Sequence, residues 1–180
     1  MVFLQNVDTK KAALLMMHFQ DDVFRVLAGS LPTDMLDRAN NLIDTWRKTE
    51  RPVIFANLLI KPNEPVTENN KLITTVKSAG LFRESKFVEG LDVQPSDRIY
   101  TCLRASVFHG TNLDHDLRAQ GIDTLVMAGI ASSGVLFSTV AWASDADYRI
   151  YLARACCFDP DVQADEALFR TSFATRATLI

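Results

Sequence analysis

The sequence is poor in the residues that build extracellular scaffolds, metal centres and nucleic-acid faces. Three cysteines occur in 180 residues, Cys102, Cys156 and Cys157. An odd number without regular spacing does not make a disulfide framework, so a reducing, cytoplasmic setting is expected. There is no CxxC, HxxxH or Asp-x-His arrangement. The usual zinc-ligand spacings are therefore missing, and neither a metal nor another cofactor is expected. Lys and Arg number 19 against 22 Asp and Glu, a formal net charge of −3. They form no cluster, which argues against a nucleic-acid partner. Glycine is scarce too, and no GxGxxG fingerprint exists. After Gly129-Ile-Ala-Ser-Ser-Gly134, Val135-Leu136 stands where a P-loop needs Lys followed by Ser or Thr, so nucleotide binding has no support. The apolar run Leu14-Leu15-Met16-Met17 breaks at His18. It is too short for a membrane span, and no small-residue cleavage site accompanies it.

What remains is ordinary globular composition, 48% hydrophobic and 23% charged, with enough chain for one well-buried domain over residues 1–180. Short apolar runs alternate with helical periods, the pattern of a parallel sheet covered by helices. Runs at 12–17, 52–58, 98–102, 125–129 and 149–153 read as strands, and 177–180 as a final edge. Between the first two, Met35, Ala39, Leu42, Ile43 and Trp46 recur at helical spacing, with Thr33 as a cap. Thr111 with Asp114 resembles a capping box, and Gly121 stands where a helix end needs a left-handed residue. A further helix is expected over 134–146, capped by Ser132 or Ser133. Asp159 is the expected cap of a last helix whose Val162, Leu168, Phe169 and Phe173 face inward. Residues 59–96, with Pro62, Pro65 and Pro95, form a long excursion holding one helix near 69–77. A connection of that length serves as a lid or as an arm between subunits.

In an open parallel sheet, ligands bind beyond the carboxyl ends of the strands. That rule selects His18-Phe19-Gln20, Asn57, Cys102 to Phe108, and Ile130 to Val135. Free N–H groups where Ala131, Ser132, Ser133, Gly134 and Val135 turn into a helix suit an anion or developing oxyanion, although simple helix capping explains the same residues. Arg104 can orient a carboxylate through its planar fork. Gln20 and Asn57 can offer amide hydrogen bonds, and Phe19, Phe24 and Phe108 can wall a pocket. His109 and His115 read as solvated.

Three blocks then carry a resemblance to the isochorismatase-like (cysteine hydrolase) superfamily. Ala13-Leu-Leu-Met-Met-His-Phe-Gln-Asp-Asp22 resembles the superfamily's opening strand. Arg104-Ala-Ser-Val-Phe-His-Gly-Thr-Asn-Leu113 is similar to its Ser-Ala-Phe-x-Gly-Thr-x-Leu block. Gly121-Ile-Asp-Thr-Leu-Val-Met-Ala-Gly-Ile-Ala-Ser132 is similar to its Gly-Ile-x-Thr-Leu-Val-x-x-Gly-x-Ala-Thr block. The blocks stand in family order across nearly the whole chain. The resemblance implies a three-layer αβα, Rossmann-like fold with six mainly parallel strands. It also implies a homodimer or higher homo-oligomer, a cis peptide at Ile130-Ala131, and hydrolysis of small amides, imides or a vinyl ether.

The catalytic positions depart from that pattern. The family's Asp, Lys and Cys fall on His18, Cys102 and Val135, and a valine cannot be a nucleophile. Three readings stay open. His18 acts as a general acid or base on a bound molecule or water. Alternatively, Cys102 and His18 form a relocated nucleophile–base pair. In the third, the pocket survives without catalysis as a ligand-binding or scaffold protein. The expected ligand is a small carboxylate- or amide-bearing metabolite.

Overall fold

The computed structural model describes residues 7–61, 63 and 68–180; Pro62 and Pro65 lie outside them. Strands β1 (Ala12–Met17), β2 (Val53–Leu58), β3 (Arg98–Cys102), β4 (Thr124–Ile130), β5 (Arg149–Phe158) and β6 (Thr178–Leu179) form one sheet. Every pairing is parallel, in the order β3-β2-β1-β4-β5-β6.

Side chains alternate between the two faces of a strand, yet all residues of β1, β2 and β4 are buried. Both faces are therefore covered by helices, which makes three layers and explains why these strands are continuously apolar. The edge strand β3 is mostly exposed until Cys102. Between β1 and β4 the backbones approach closely. A Cβ on Gly129 would lie 3.2 Å from the Met17 Cβ and 3.3 Å from its carbonyl oxygen, so glycine is what fits there.

The helices are α1 (Asp21–Leu27), α2 (Met35–Arg47), α3 (Lys71–Ser78), α4 (Leu113–Ala119), α5 (Phe137–Asp145) and α6 (Val162–Arg170). In α2 the five apolar residues expected to face inward are all buried. Gly121 closes α4 at φ +67°, a conformation that costs glycine little. Helix α1 was not legible in the sequence, because its short run has two aspartates and one buried residue, Val23.

Several helix starts differ from expectation. Asp34, not Thr33, precedes α2 and instead pairs with Arg38. Asn112 precedes α4; Thr111 Oγ accepts the Leu113 N–H at 3.4 Å, whereas Asp114 pairs with Arg118 and accepts the Tyr148 hydroxyl. Neither Ser132 nor Ser133 caps α5, because a π turn over Ser132–Leu136 comes first. Asp161, not Asp159, caps α6 by accepting the Ala164 N–H at 3.0 Å. Val162 is 62% exposed rather than inward-facing, and β5 runs on to Phe158 through a register irregularity opposite Met127 and Gly129. Among the described residues no helix is long and apolar enough to cross a membrane.

Candidate active site

The order of the sheet fixes where a crevice opens. The chain moves outward from β1 through β2 to β3, then returns to β4 on the other side of β1. Connections leaving β1 and β4 thus diverge, and their carboxyl ends leave a gap at this switch point. His18 follows β1 and Ala131 follows β4, and both line a cavity of about 170 Å³. The cavity lies at this gap.

Each wall has a local cause. His18 adopts φ +59°, a left-handed conformation unusual for any residue but glycine, although histidine tolerates it better than branched side chains. Its N–H still donates to the Ala56 carbonyl at 2.9 Å. The chain therefore turns sharply at the strand end and sends the imidazole across β2. Opposite, the Ile130-Ala131 peptide is cis, and the π turn brings Ser133, Gly134 and Val135 to the cavity. Asp159, only 3% exposed, braces this turn: one carboxylate oxygen accepts the Ser133 N–H at 2.7 Å and the other the Asp161 N–H at 3.0 Å. The third wall comes from the excursion. Leu72, Ile73 and Val76 of α3, with Phe82, close the cavity. Their spacing on one helical face was the available signal, although a helix inside a polar stretch does not announce what it covers.

The excursion is stitched to the sheet edge by Gln20. Its amide nitrogen donates to the carbonyls of Leu58 and Glu84 at 3.0 and 3.2 Å, and its amide oxygen accepts the Leu58 N–H at 2.9 Å. Gln20 was a candidate ligand contact. The fully buried amide is instead consumed by backbone groups and does not line the cavity. Asn57 donates to Ser85 in the same way, at 2.7 Å. Asp22 accepts the Phe82 N–H at 2.5 Å.

His18 and Cys102 are neighbours. The imidazole Nε2 lies 3.7 Å from Cys102 Sγ, whose thiol donates to the Asn57 carbonyl at 3.2 Å. Burial without a charged partner pushes the His18 pKa down to about 3 and the Cys102 pKa up to about 12. Both are neutral at pH 7, so the contact is an imidazole–thiol hydrogen bond rather than a thiolate–imidazolium pair. The cavity touches His18 and not Cys102.

The remaining candidates lie elsewhere. Ser132 is fully buried beneath the turn. Phe108 stacks on Trp142 with ring centroids 4.1 Å apart, and Phe19 packs against Phe24; neither Phe108, Phe19 nor Phe24 lines the cavity. Arg104 directs its guanidinium to the neighbouring Leu103 carbonyl at 2.6 Å. His109 and His115 are exposed. Among the described residues, no group of three His, Cys, Asp or Glu side chains is placed to hold a metal ion.

These features define a three-layer α/β protein with a small cavity at the switch point of a parallel sheet. The isochorismatase domain matches residues 12–180, and the chain belongs to that family. Its relatives include the uncharacterized isochorismatase family protein YwoC of Bacillus subtilis, 28% identical over 150 residues that span 80% of this chain and 76% of the relative. A maleamate amidohydrolase of Pseudomonas putida is 32% identical over 81 residues, which cover 45% of this chain and 38% of the enzyme. In fold, a cysteine hydrolase from Pseudomonas syringae pv. phaseolicola superposes with a TM-score of 0.82 at 20% identity, covering 96% of this chain and 89% of the other.

Proposed function

We propose that the protein takes up a small molecule in the cavity at the ends of β1 and β4, and that His18 is the side chain that acts on it. One observation carries this reading. Among the described residues His18 is the titratable group on the cavity wall, and its backbone is in a left-handed conformation at the end of β1. The family likeness, including the partial similarity to an amidohydrolase, supports hydrolysis of a small amide or related carbonyl compound.

The chemistry differs from that of a cysteine hydrolase. Val135 stands on the turn where the resemblance puts a nucleophile, so no covalent adduct forms there. A neutral imidazole can instead take a proton from water as the water adds to the carbonyl carbon, and the imidazolium so formed returns that proton to the amide nitrogen as the C–N bond breaks and the amine leaves. Its depressed basicity keeps that step slow, since general-base efficiency follows basicity. The same depression leaves too little resting imidazolium at pH 7 for His18 to open the reaction as an acid. Cys102 serves as a positioning residue: buried and protonated, it accepts the imidazole N–H and fixes the ring.

A second reading is uptake of the ligand without turnover. The low basicity of His18 and the shielded thiol favour it. Homo-oligomeric assembly and an intracellular setting belong with both readings, by likeness to the family and by the three free cysteines.

Turnover of a panel of small amides, imides and vinyl ethers, compared between the unaltered protein and His18→Gln, separates the readings. Hydrolysis that falls at least tenfold in the variant supports the first. Binding without hydrolysis supports the second. Hydrolysis indifferent to the substitution removes His18 from the chemistry.

A further inference from the structure

The charge of the cavity lining separates ligands that the family likeness leaves together. This inference rests on the cavity being the ligand site. Leu58, Leu72, Ile73, Val76, Phe82 and Val135 give it an apolar surface, and no Lys, Arg, Asp or Glu lines it among the described residues. The residues outside the described set, 1–6, 62 and 64–67, contain no Lys, Arg or His, so they supply no cationic side chain either.

The cations that adjoin lining residues in sequence, Lys71, Lys77, Arg83 and Arg104, do not themselves line the cavity. Arg104 adjoins Ala105, which lines the cavity, but its guanidinium is bonded to the Leu103 carbonyl. Arg83 follows Phe82; it lies against Gly80 and lines separate hollows with Asp21, Asp22 and Lys77. His18, neutral at pH 7, adds no charge. An ionised carboxylate would therefore lose its water without gaining a counter-ion, the costliest way to bury a polar group, and an ammonium finds no counter-ion among the described lining residues.

We infer that the cavity selects an uncharged, largely apolar ligand carrying one hydrogen-bonding group, presented to His18 and Ser133, and rejects carboxylates. Size narrows the class. An engineered apolar cavity of about 150 Å³ accepts benzene, and the present one measures about 170 Å³. One six-membered ring, or a branched aliphatic group of that bulk, with a single carboxamide-sized substituent fits this space. On this reading Arg104, a candidate from sequence for orienting a carboxylate, takes no part in binding.

Three probes of nearly equal shape test the inference: benzamide, benzoate and benzylamine, titrated calorimetrically at pH 7. Benzamide is expected to bind at least tenfold more tightly than either ion. Leu72→Arg places a cation at a position 47% exposed on the cavity's rim and is expected to improve benzoate binding at least fivefold. Arg104→Ala is expected to leave all three affinities unchanged. Benzoate binding to the unaltered protein as tightly as benzamide, or loss of benzoate binding in Arg104→Ala, overturns the charge selection. Failure of all three probes to bind overturns it together with the ligand site itself. Benzamide binding that is unaltered in His18→Gln removes the hydrogen bond inferred between His18 and the ligand while leaving the charge selection standing.

Discussion

His18 Nε2 lies 3.7 Å from Cys102 Sγ, although the two residues are 84 positions apart in the sequence. His18 lines the cavity, whereas the thiol in contact with its ring does not. Cys102 is 1% exposed and burial raises its pKa to about 12. Alkylation of the folded protein at pH 7.5 is therefore expected to spare Cys102, since the reactive species is the thiolate. His18→Ala should accelerate labelling of Cys102 by at least tenfold by opening a path from the cavity. Peptide mass spectrometry over time reads this directly. Labelling that slows in the variant would show instead that His18 activates the thiol.

Stability should fall with acid in a way traceable to one residue. His18 has a folded pKa near 3 against about 6.5 in an unfolded chain. Between those values the unfolded chain binds the extra proton. The stabilisation is complete above the unfolded pKa and is lost as pH falls toward the folded one. At about 1.4 kcal/mol per pH unit, the loss between pH 6.5 and pH 4.5 is about 2–3 kcal/mol. Urea midpoints at the two pH values, compared with those of His18→Gln, isolate this share. Equal slopes in both proteins would mean that His18 is not held neutral.

Asp159 ties the π turn to the start of α6 through two backbone N–H groups. Asp159→Ala leaves both without their acceptor in a buried setting. A loss of about 2–3 kcal/mol is expected from denaturation. Ligand affinity should weaken as well, because Ser133 and Gly134 line the cavity. Asp159→Asn, which keeps one acceptor oxygen, should recover part of each.

Gln20 makes three hydrogen bonds that join β1, the end of β2 and the excursion. Gln20→Ala is expected to cost about 3 kcal/mol, the size of effect seen when a buried network is broken. Hydrogen exchange should show faster opening of residues 58–60 and 82–88, with α5 and β5 unchanged. Uniform acceleration across the chain would refute a local role for Gln20.

The strands and their sheet were legible from the sequence for a simple reason. Burial on both faces demands continuous apolar runs, and β1, β2 and β4 fall where those runs stand, to within one residue at either end. The carboxyl edge was legible too, because parallel topology places every strand exit there; His18, Ala131, Ser133, Gly134 and Val135 share that edge and one cavity. Helix starts were less legible. Threonine, serine and aspartate each make several local hydrogen bonds, and the choice between Asp159 and Asp161 as the cap depended on where Ser133 came to lie.

Local pattern determined which segments form strands and helices, and block similarity determined the family. Tertiary structure alone decided what each edge residue does. Gln20 was turned from ligand contact to brace by Leu58, 38 residues away, and by Glu84, 64 residues away. Cys102 was placed 3.7 Å from His18 and off the cavity lining, and α3 became a cavity wall. The direction of a side chain at a strand end depends on backbone turns and on partners brought near only by folding, and hydrophobic periodicity carries no record of either.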